Sequence, residues 1–486
     1  MTLVKDIIDT IVIPFTHICN QSFSTGIFPS AMKTAKVIPI YKSGDKHQFT
    51  NYRPISLLSQ FSKILEKLFV TRLDSFIEKH QLLSSHQYGF RTNRSTMMAA
   101  TELVEAISTN TENGEYTVGV FIDLKKAFDT INHEILLNKM ERYGIRGVAQ
   151  AWLKSYLKDR QQFVHMNNID SNLQKISHGV PQGSVLGPKL FIMYINDLCN
   201  VMTQLKCVLF ADDTSLYASG TDLGQLLQVV ERELQILKDW FDVNKLSLNL
   251  TKTKYLIFTN KKINSPVKLS INMIEIERVY EYKFLGLTID NKLNWKPHID
   301  NLKNKISKSI AILYKMKHIV NKNSLYILYC SLILPYLTYC VEVWGNTYKT
   351  TTKPIYMLQK KAIRIINHSD YLSPTNPLFI KTKALKFEDL VELNTAVIMF
   401  KAYKNTLPTC MQELFKKRES KYALRGTCIY EKGSANSNLK GRCLSVKGVN
   451  LWNSLDNDLK MCTNINKFKR IFKNKVLNKY STIGNA

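Results

Sequence analysis

Asp212 and Asp213 stand side by side in Val-Leu-Phe-Ala-Asp-Asp-Thr-Ser-Leu-Tyr, residues 208–217, between two short apolar runs. Each run reads as a buried strand, and the break between them as a hairpin tip. The tip offers neither Gly nor Asn, the residues a two-residue hairpin turn favours. Ala211-Asp212 there trades turn comfort for a carboxylate in a fixed place. An Asp-Asp pair is ordinarily a solvated turn, but these flanks are too apolar for a surface turn. Asp123 closes an earlier strand, Tyr116 to Ile122, rich in Val and Phe. If the two strands are neighbours in one sheet, three carboxylates face a common point. Like charges that close cannot all stay ionised without a cation among them. Carboxylates from separate strands gathered around hard cations such as Mg²⁺ are what metal-dependent phosphoryl transfer requires. Phe128 follows Asp123 in Phe-Ile-Asp-Leu-Lys-Lys-Ala-Phe-Asp. The glycine-rich turn Pro181-Gln182-Gly183 lets backbone approach a ligand closely.

Alternating strands and helices must position these groups, up to about Ile289. Ile7, Ile8, Ile11, Phe15 and Ile18 recur at helical spacing over residues 4–23, with Pro14 as a kink and Gly26 and Pro29 ending the unit. Lys36 to Tyr41 is a short strand, followed by a polar loop from Lys42. The next features are Asn51-Tyr-Arg-Pro-Ile-Ser and a helix from about Ser59 to Glu78. Gln87-Tyr-Gly-Phe-Arg is a basic loop before a helix over about Ser95 to Thr109. A helix begins by about Ile131, and Asp129 reads as an N-cap near Thr130. Trp152 to Leu157 is helical, and Phe163 to Met166 pairs with Leu173 to Ile176. The glycine-rich loop from Gly179 feeds a helix from Pro188 to Cys199. Leu223 to Val243 is a long amphipathic helix, Tyr255 to Thr259 a strand, and Tyr282 to Ile289 another. Beyond that the chain is helical and basic. Ile299, Leu302, Ile306, Ile310 and Leu313 form an apolar stripe, with Lys303, Lys305, Lys308, Lys315 and Lys317 largely off it. Residues 419–445 are polar and read as a loop region, and a last basic helix spans about Ile465 to Lys479.

The chain has 486 residues, 45% of them hydrophobic, which marks a globular protein. Its 67 Lys and Arg against 39 Asp and Glu give a formal net charge of +28. A globular chain this basic usually meets a polyanion, nucleic acid first and an anionic membrane second. The nine cysteines include no Cys-x-x-Cys, and all nine read as reduced thiols of an intracellular protein. The run Tyr326 to Trp344 is as long as a membrane span, but Pro335, four tyrosines and Glu342 argue for a buried helix, a break and a second short element.

Taken in order, Phe-Ile-Asp-Leu-Lys-Lys-Ala-Phe-Asp-Thr-Ile-Asn-His, Gly-Val-Pro-Gln-Gly-Ser-Val-Leu-Gly-Pro and Leu-Phe-Ala-Asp-Asp-Thr-Ser-Leu-Tyr resemble the central motifs of reverse transcriptases. They most resemble those of non-LTR, jockey-like retrotransposons. Tyr-Lys-Phe-Leu-Gly-Leu-Thr-Ile-Asp and Gln-Tyr-Gly-Phe-Arg add to the match, which is strong from about Gly26 to Asp290 and looser beyond. The resemblance implies an α/β (α+β) right-hand polymerase. It would have a helical extension (1–34), fingers and palm (35–290), a helical thumb (291–370) and a helical basic C-terminal region (371–486). It implies that Asp123, Asp212 and Asp213 hold two Mg²⁺ ions, for which Mn²⁺ could substitute. Phe128 would pack under the sugar of the incoming dNTP, and Gln182 and Gly183 would line the nucleotide and template side. Lys42, Arg53 and Arg91 would serve the nucleotide, Lys252 would protonate pyrophosphate, and Phe284-Leu285-Gly286 would form the primer grip. RNA template and DNA primer are the implied partners, in nucleus and cytoplasm, with no membrane.

Each role has a plainer counterpart. Phe128 fits as core, Lys252 as a solvated loop lysine, and Lys125-Lys126 as a solvated face. Arg91 fits as the partner of a fingers acid. Jockey-like proteins carry an endonuclease before the polymerase; this chain starts almost at the fingers, so nicking is expected to come from elsewhere. The rivals are another reverse transcriptase, such as a group II intron protein or a telomerase subunit, an RNA-dependent RNA polymerase, and a catalytically silent RNA-binding scaffold.

Overall fold

The run Tyr116–Ile122 is the middle strand of a five-stranded sheet, ordered Glu277–Arg278, Lys254–Phe258, Tyr116–Ile122, Asp213–Gly220, Lys206–Phe210. Both of its neighbours are antiparallel to it. The computed structural model describes residues 6–263, 267–418 and 429–482. Successive side chains of a strand point to opposite faces, and the two faces enter two cores. Val118, Val120 and Ile122 join Leu216, Tyr255 and Ile257 on one side; Phe121 joins Val208, Tyr217 and Leu256 on the other. Helices Leu223–Val243 and Gly187–Tyr194 cover the first face, and helix Thr96–Glu112 the second. Burial on both sides explains why this strand reads as a continuous apolar run. Each fully buried Val or Phe there contributes roughly 1.5–3 kcal/mol.

A second sheet carries Tyr52–Leu57 at its edge, then Thr34–Tyr41, Arg160–Met166 and Ile169–Asp170, with Gln174–Ile176 also paired to Arg160–Met166. Pro54 is tolerated because its strand lies on the edge. The first helix, Ile8–Thr25, runs through Pro14 and ends at Gly26, whose φ is 70°. It docks on this lobe through Trp152, whose indole N–H donates to Ser22 Oγ at 2.9 Å and whose ring stacks on Phe69 at 4.2 Å.

Helix Lys296–Met316 buries the expected stripe of Ile299, Leu302, Ile306, Ile310 and Leu313 and leaves Lys303, Lys305, Lys308 and Lys315 exposed. The run Tyr326 to Trp344 comprises the end of helix Lys322–Leu332, then Leu334–Thr338 with Pro335 in its first turn, then Val341–Trp344. Among the described residues no helix is long and apolar enough to cross a membrane. The last helix is Ile465–Thr482. Part of the polar region 419–445 lies outside the described residues. From Tyr430 on it folds back on helix Thr96–Glu112, where Glu105 takes Lys440 Nζ at 2.9 Å and the Ser445 amide at 2.7 Å.

Two expectations are corrected. Tyr282 to Ile289 is not one strand but a hairpin, Glu281–Phe284 paired with Leu287–Asp290. Leu285 and Gly286 turn the chain with φ of 45° and 84°, the doubly positive turn that matches strand twist. The nine cysteines are not all thiols either. A short helical turn, Asn196–Asn200, sets Cys199 beside strand Lys206–Phe210, and Cys199 and Cys207, with Cα atoms 6.3 Å apart, form a disulfide. Cys19, Cys330, Cys340, Cys410, Cys443 and Cys462 are free; Cys428 lies outside the described residues.

Candidate active site

Phe210 pairs with Asp213, so Ala211 and Asp212 are the two residues of the hairpin turn. Ala211 takes a φ of 57° while Asp212 keeps a negative one, the II′ pattern that favours Gly at its first position. A non-glycine residue there costs about 1–3 kcal/mol. The neighbouring strand ends its ladder with Ile122 opposite Thr214. The next residue, Asp123, therefore lies level with Asp213.

The loop after strand Lys254–Phe258's preceding helix fixes Asp123. Asn249 Nδ2 donates to Asp123 Oδ2 at 2.9 Å, and the Asn249 amide to the Asp123 carbonyl at 2.8 Å. Lys252 is exposed on this same loop. Asp212 and Asp213 are both open to water on one side, and Asp213 lines a narrow cleft, with protein crowding the two acids on the other sides. That crowding, with the charge of Asp123, raises Asp212 above the usual carboxylate range, against the opposing pull of Arg53 and Lys42. Asp213 is pushed up to about 6 by burial and by the charges of Asp212 and Asp123. Burial, Asp213 and Asp123 likewise push the Tyr282 phenol up to about 12. The three acids therefore share one field, as the sequence suggested.

The acids do not form a ready-made cage: among the described residues no three His, Cys, Asp or Glu side chains could by themselves hold a metal ion. Mg²⁺ is usually held by one or two carboxylates together with water and substrate phosphates, and Asp123, Asp212 and Asp213 are the residues that would offer those carboxylates. Mutual repulsion at the turn and an open cleft are the features such an ion would answer.

The other site residues divide. Lys42 and Arg53 lie where the strands Thr34–Tyr41 and Tyr52–Leu57 meet their connecting loop; Arg53 is opposite Ile40, and the Lys42 amide bonds the Asn51 carbonyl at 2.9 Å. Phe128 is half-buried, its ring 4.8 Å from that of Phe191. Gly183 needs its φ of 128°, and a Cβ there would lie 2.5 Å from the Ser56 carbonyl. The Gln182 carbonyl accepts from the Ser56 amide at 2.7 Å, and its Nε2 donates to Asp129 Oδ1 at 2.8 Å. Asp129 is thus not an N-cap; Asn132 caps helix His133–Arg142, accepting from Glu134 and Ile135. Phe284 is buried, and the Tyr339 hydroxyl donates to the Leu285 carbonyl at 2.8 Å, beside Gly286. A narrow cleft lined by Phe121, Asp213, Tyr282, Lys283, Phe284 and Leu285 joins this turn to the acids. Lys125 and Lys126 are exposed.

Arg91 is not part of this group. Its guanidinium turns inward, donating to the Ser84 carbonyl at 2.8 Å and standing 3.6 Å from Glu78. Three residues that sequence reasoning passed over support the site. Asn249 orients Asp123. Buried Glu66 accepts from the amides of Val185 at 2.7 Å and Leu186 at 3.2 Å, holding the loop after Gly183. Gln87 touches the Ala211-Asp212 turn itself, its Oε1 accepting from the Ala211 amide at 3.1 Å. Gln87 opens the Gln-Tyr-Gly-Phe-Arg motif, but nothing local shows what any of the three does, since each acts on a distant segment.

A family model described as reverse transcriptase (RNA-dependent DNA polymerase) matches residues 41–289, just over half the chain. The chain is 31% identical over 376 residues to a probable RNA-directed DNA polymerase from transposon BS of Drosophila melanogaster, covering 73% of this chain and 40% of that protein. It is 30% identical over 388 residues to the RNA-directed DNA polymerase from mobile element jockey of the same fly, covering 77% and 42%. The chain spans about two fifths of the length of these curated relatives. Among solved structures, an apo telomerase from Candida tropicalis overlaps 77% of this chain and 66% of that chain, at 12% identity and a TM-score of 0.40.

Proposed function

The chain belongs to the reverse transcriptase (RNA-dependent DNA polymerase) family, and on that premise we propose that it extends a DNA primer on an RNA template for a non-LTR element. The observation that carries the reading is the shared field of Asp123, Asp212 and Asp213, opposed by Arg53 and Lys42 from the other lobe. In this reading Asp123, Asp212 and Asp213 would hold two Mg²⁺ ions, with Mn²⁺ able to substitute, and bound metal would supply activation of the primer 3′-hydroxyl and charge neutralisation at the triphosphate and leaving pyrophosphate. Arg53 and Lys42 grip the triphosphate, the forked guanidinium giving direction and the ammonium a mobile charge. Gln182 and Gly183 line the nucleotide, and the turn at Leu285-Gly286 steadies the primer end. Lys252 supplies the proton that pyrophosphate takes up. The fingers and palm lie within 35–290 and the thumb within 291–370. Extension of oligo-dT on poly-rA tests the reading; a chain that bound this template–primer and added no nucleotide would be a scaffold and not a polymerase.

Binding should respond steeply to salt. Counterion release gives a log–log slope of about −0.7 to −0.9 per phosphate contact. Contacts from four of the exposed lysines of helix Lys296–Met316 (Lys303, Lys305, Lys308 and Lys315) alone would weaken template–primer affinity roughly 50- to 150-fold between about 50 and about 200 mM NaCl. Fluorescence anisotropy over that range measures it, and a flat response would contradict a basic groove.

The acids also predict how Mg²⁺ stabilises the fold. Asp213 titrates at about 6 in the folded chain, above the ordinary carboxylate value near 3.9. The folded state therefore holds its proton more tightly than the unfolded state. Stability from this group falls as pH rises through the window between those values and stays lower above it. A cation relieves that penalty only where the acids are ionised. Mg²⁺ at ten times its dissociation constant should raise Tm by about 2 °C at pH 8 and far less at pH 5. In Asp213→Asn the pH 8 shift should shrink towards zero. Equal Mg²⁺ shifts at both pH values in a thermal melt would remove the acids as its source.

A further inference from the structure

We infer that Gln87, through the single oxygen Oε1, is a positioning residue that holds the Ala211-Asp212 turn in the conformation the metal ligands need. This rests on the polymerase reading above. The turn is an awkward one, with Ala211 in the left-handed region at a φ of 57°. Its amide is buried, and a buried N–H must find an acceptor. No strand neighbour provides it, because the turn lies beyond the end of the ladder. Gln87 does, at 3.1 Å, and the same oxygen takes the Gly89 amide at 2.8 Å. One carbonyl oxygen thus ties the loop to itself and to the catalytic turn.

The loop is built to deliver that oxygen. Gln87 is 1% exposed and bridges Leu209 as a parallel neighbour. The Tyr88 amide donates to the Leu209 carbonyl at 2.8 Å, and the Leu209 amide to the His86 carbonyl at 2.9 Å. Residues 86–88 are in effect a short extra strand beside the one that leads into the turn. Gly89 then crosses the turn so closely that a Cβ on it would stand 2.3 Å from the Ala211 nitrogen. The far side is anchored in turn. The Tyr88 hydroxyl bonds Glu102 of helix Thr96–Glu112 and lies 3.2 Å from Cys410 Sγ of the C-terminal region. Arg94 covers the Tyr88 ring at 5.1 Å. A loop needed only for packing would require none of this contact with the turn's backbone.

Gln87→Met keeps the shape of the side chain and removes the acceptor. Mn²⁺ binding followed by electron paramagnetic resonance reads the metal site without turnover, and primer extension reads kcat. The expected result is a threefold or greater rise in the Mn²⁺ dissociation constant and in the half-saturating Mg²⁺. A 10- to 100-fold fall in kcat should accompany it, with template–primer affinity within twofold of the parent. Ala211→Gly added to Gln87→Met should restore at least threefold of the lost kcat, because glycine takes the left-handed φ without strain. General destabilisation would give no such rescue. Should Gln87→Met fail to fold, Gly89→Ala decides, since it leaves the acceptor in place and displaces the turn; it should move the Mn²⁺ constant the same way. Parent-like Mn²⁺ affinity and kcat in whichever variant folds would overturn the inference. A parent chain that neither binds Mn²⁺ nor extends a primer would remove the polymerase reading and this inference with it. A parent that does both, matched by Gln87→Met, would remove this inference alone.

Discussion

Asp212→Asn is expected to lower primer extension on poly-rA/oligo-dT by about 10³-fold or more, with the fold and template–primer binding retained. The amide keeps the size of the side chain and loses the charge. A metal ligand worth several kcal/mol of transition-state stabilisation is worth about tenfold in rate for each 1.4 kcal/mol. Retained binding follows because the exposed lysines proposed to meet the phosphates are elsewhere, on helix Lys296–Met316. Stability should move the other way. Burial and the charge of Asp123 raise Asp212's proton affinity in the folded chain, so ionisation there opposes folding at neutral pH. The neutral variant escapes that cost, and at pH 8 in EDTA its Tm should equal or exceed the parent's. The difference should disappear in acid, where both are neutral. Steady-state extension, anisotropy and a melt at two pH values check the three parts. Extension at the parent's rate would end the assignment of Asp212 as a metal ligand.

The parts of this site that could be read from sequence are those whose chemistry is local. The strand Tyr116–Ile122 is apolar throughout because both its faces are covered, and its end fixes Asp123. The turn at Ala211-Asp212 sits between two buried strands and could be placed by periodicity alone. Helix Leu223–Val243 carries its own apolar face and an Asp222 cap that accepts from Gln225 at 2.7 Å. What escaped notice depends on partners far away in the chain. Gln87, Glu66 and Asn249 are single polar residues whose value lies in one backbone group or carboxylate on another element. Asp129 looked like a cap because Asp often is one, but Gln182 claims its carboxylate. The resemblance assigns Arg91 to the nucleotide, but Glu78 and Ser84 hold it inside, the plainer of its two readings. The hairpin at Leu285-Gly286 hid in a run of apolar residues, because Leu gives no sign that it will take a positive φ. Cys199 and Cys207 gave no sign of pairing, because a helical turn and a strand had first to be placed side by side.

Phe128→Val should raise ribonucleotide incorporation relative to deoxyribonucleotide by about 10- to 100-fold. The backbone of Phe128 is pinned, its carbonyl accepting from the Val180 amide at 2.9 Å. Its ring rests against Phe191 from the helix that follows the Gln182-Gly183 turn. The ring is therefore held on one side and only half-buried, so part of it remains exposed. If Asp123 and Asp212 place the triphosphate, the sugar comes next along the same segment, and Phe128 lies a few residues past Asp123. The 2′-hydroxyl is what separates the two substrates at that point. Overlap of a fixed ring with one extra oxygen costs a few kcal/mol, and about 1.4 kcal/mol corresponds to each factor of ten. Valine keeps an apolar surface under deoxyribose and opens room beside it, so dTTP insertion should fall much less than UTP insertion rises. Loss of the contact with Phe191 should cost about 1 kcal/mol of stability, too little to explain a change of selectivity. Single-nucleotide insertion with dTTP and UTP in both proteins gives the two kcat/KM values. An unchanged ratio would make Phe128 a packing residue, its ring needed under Phe191 and not under the sugar.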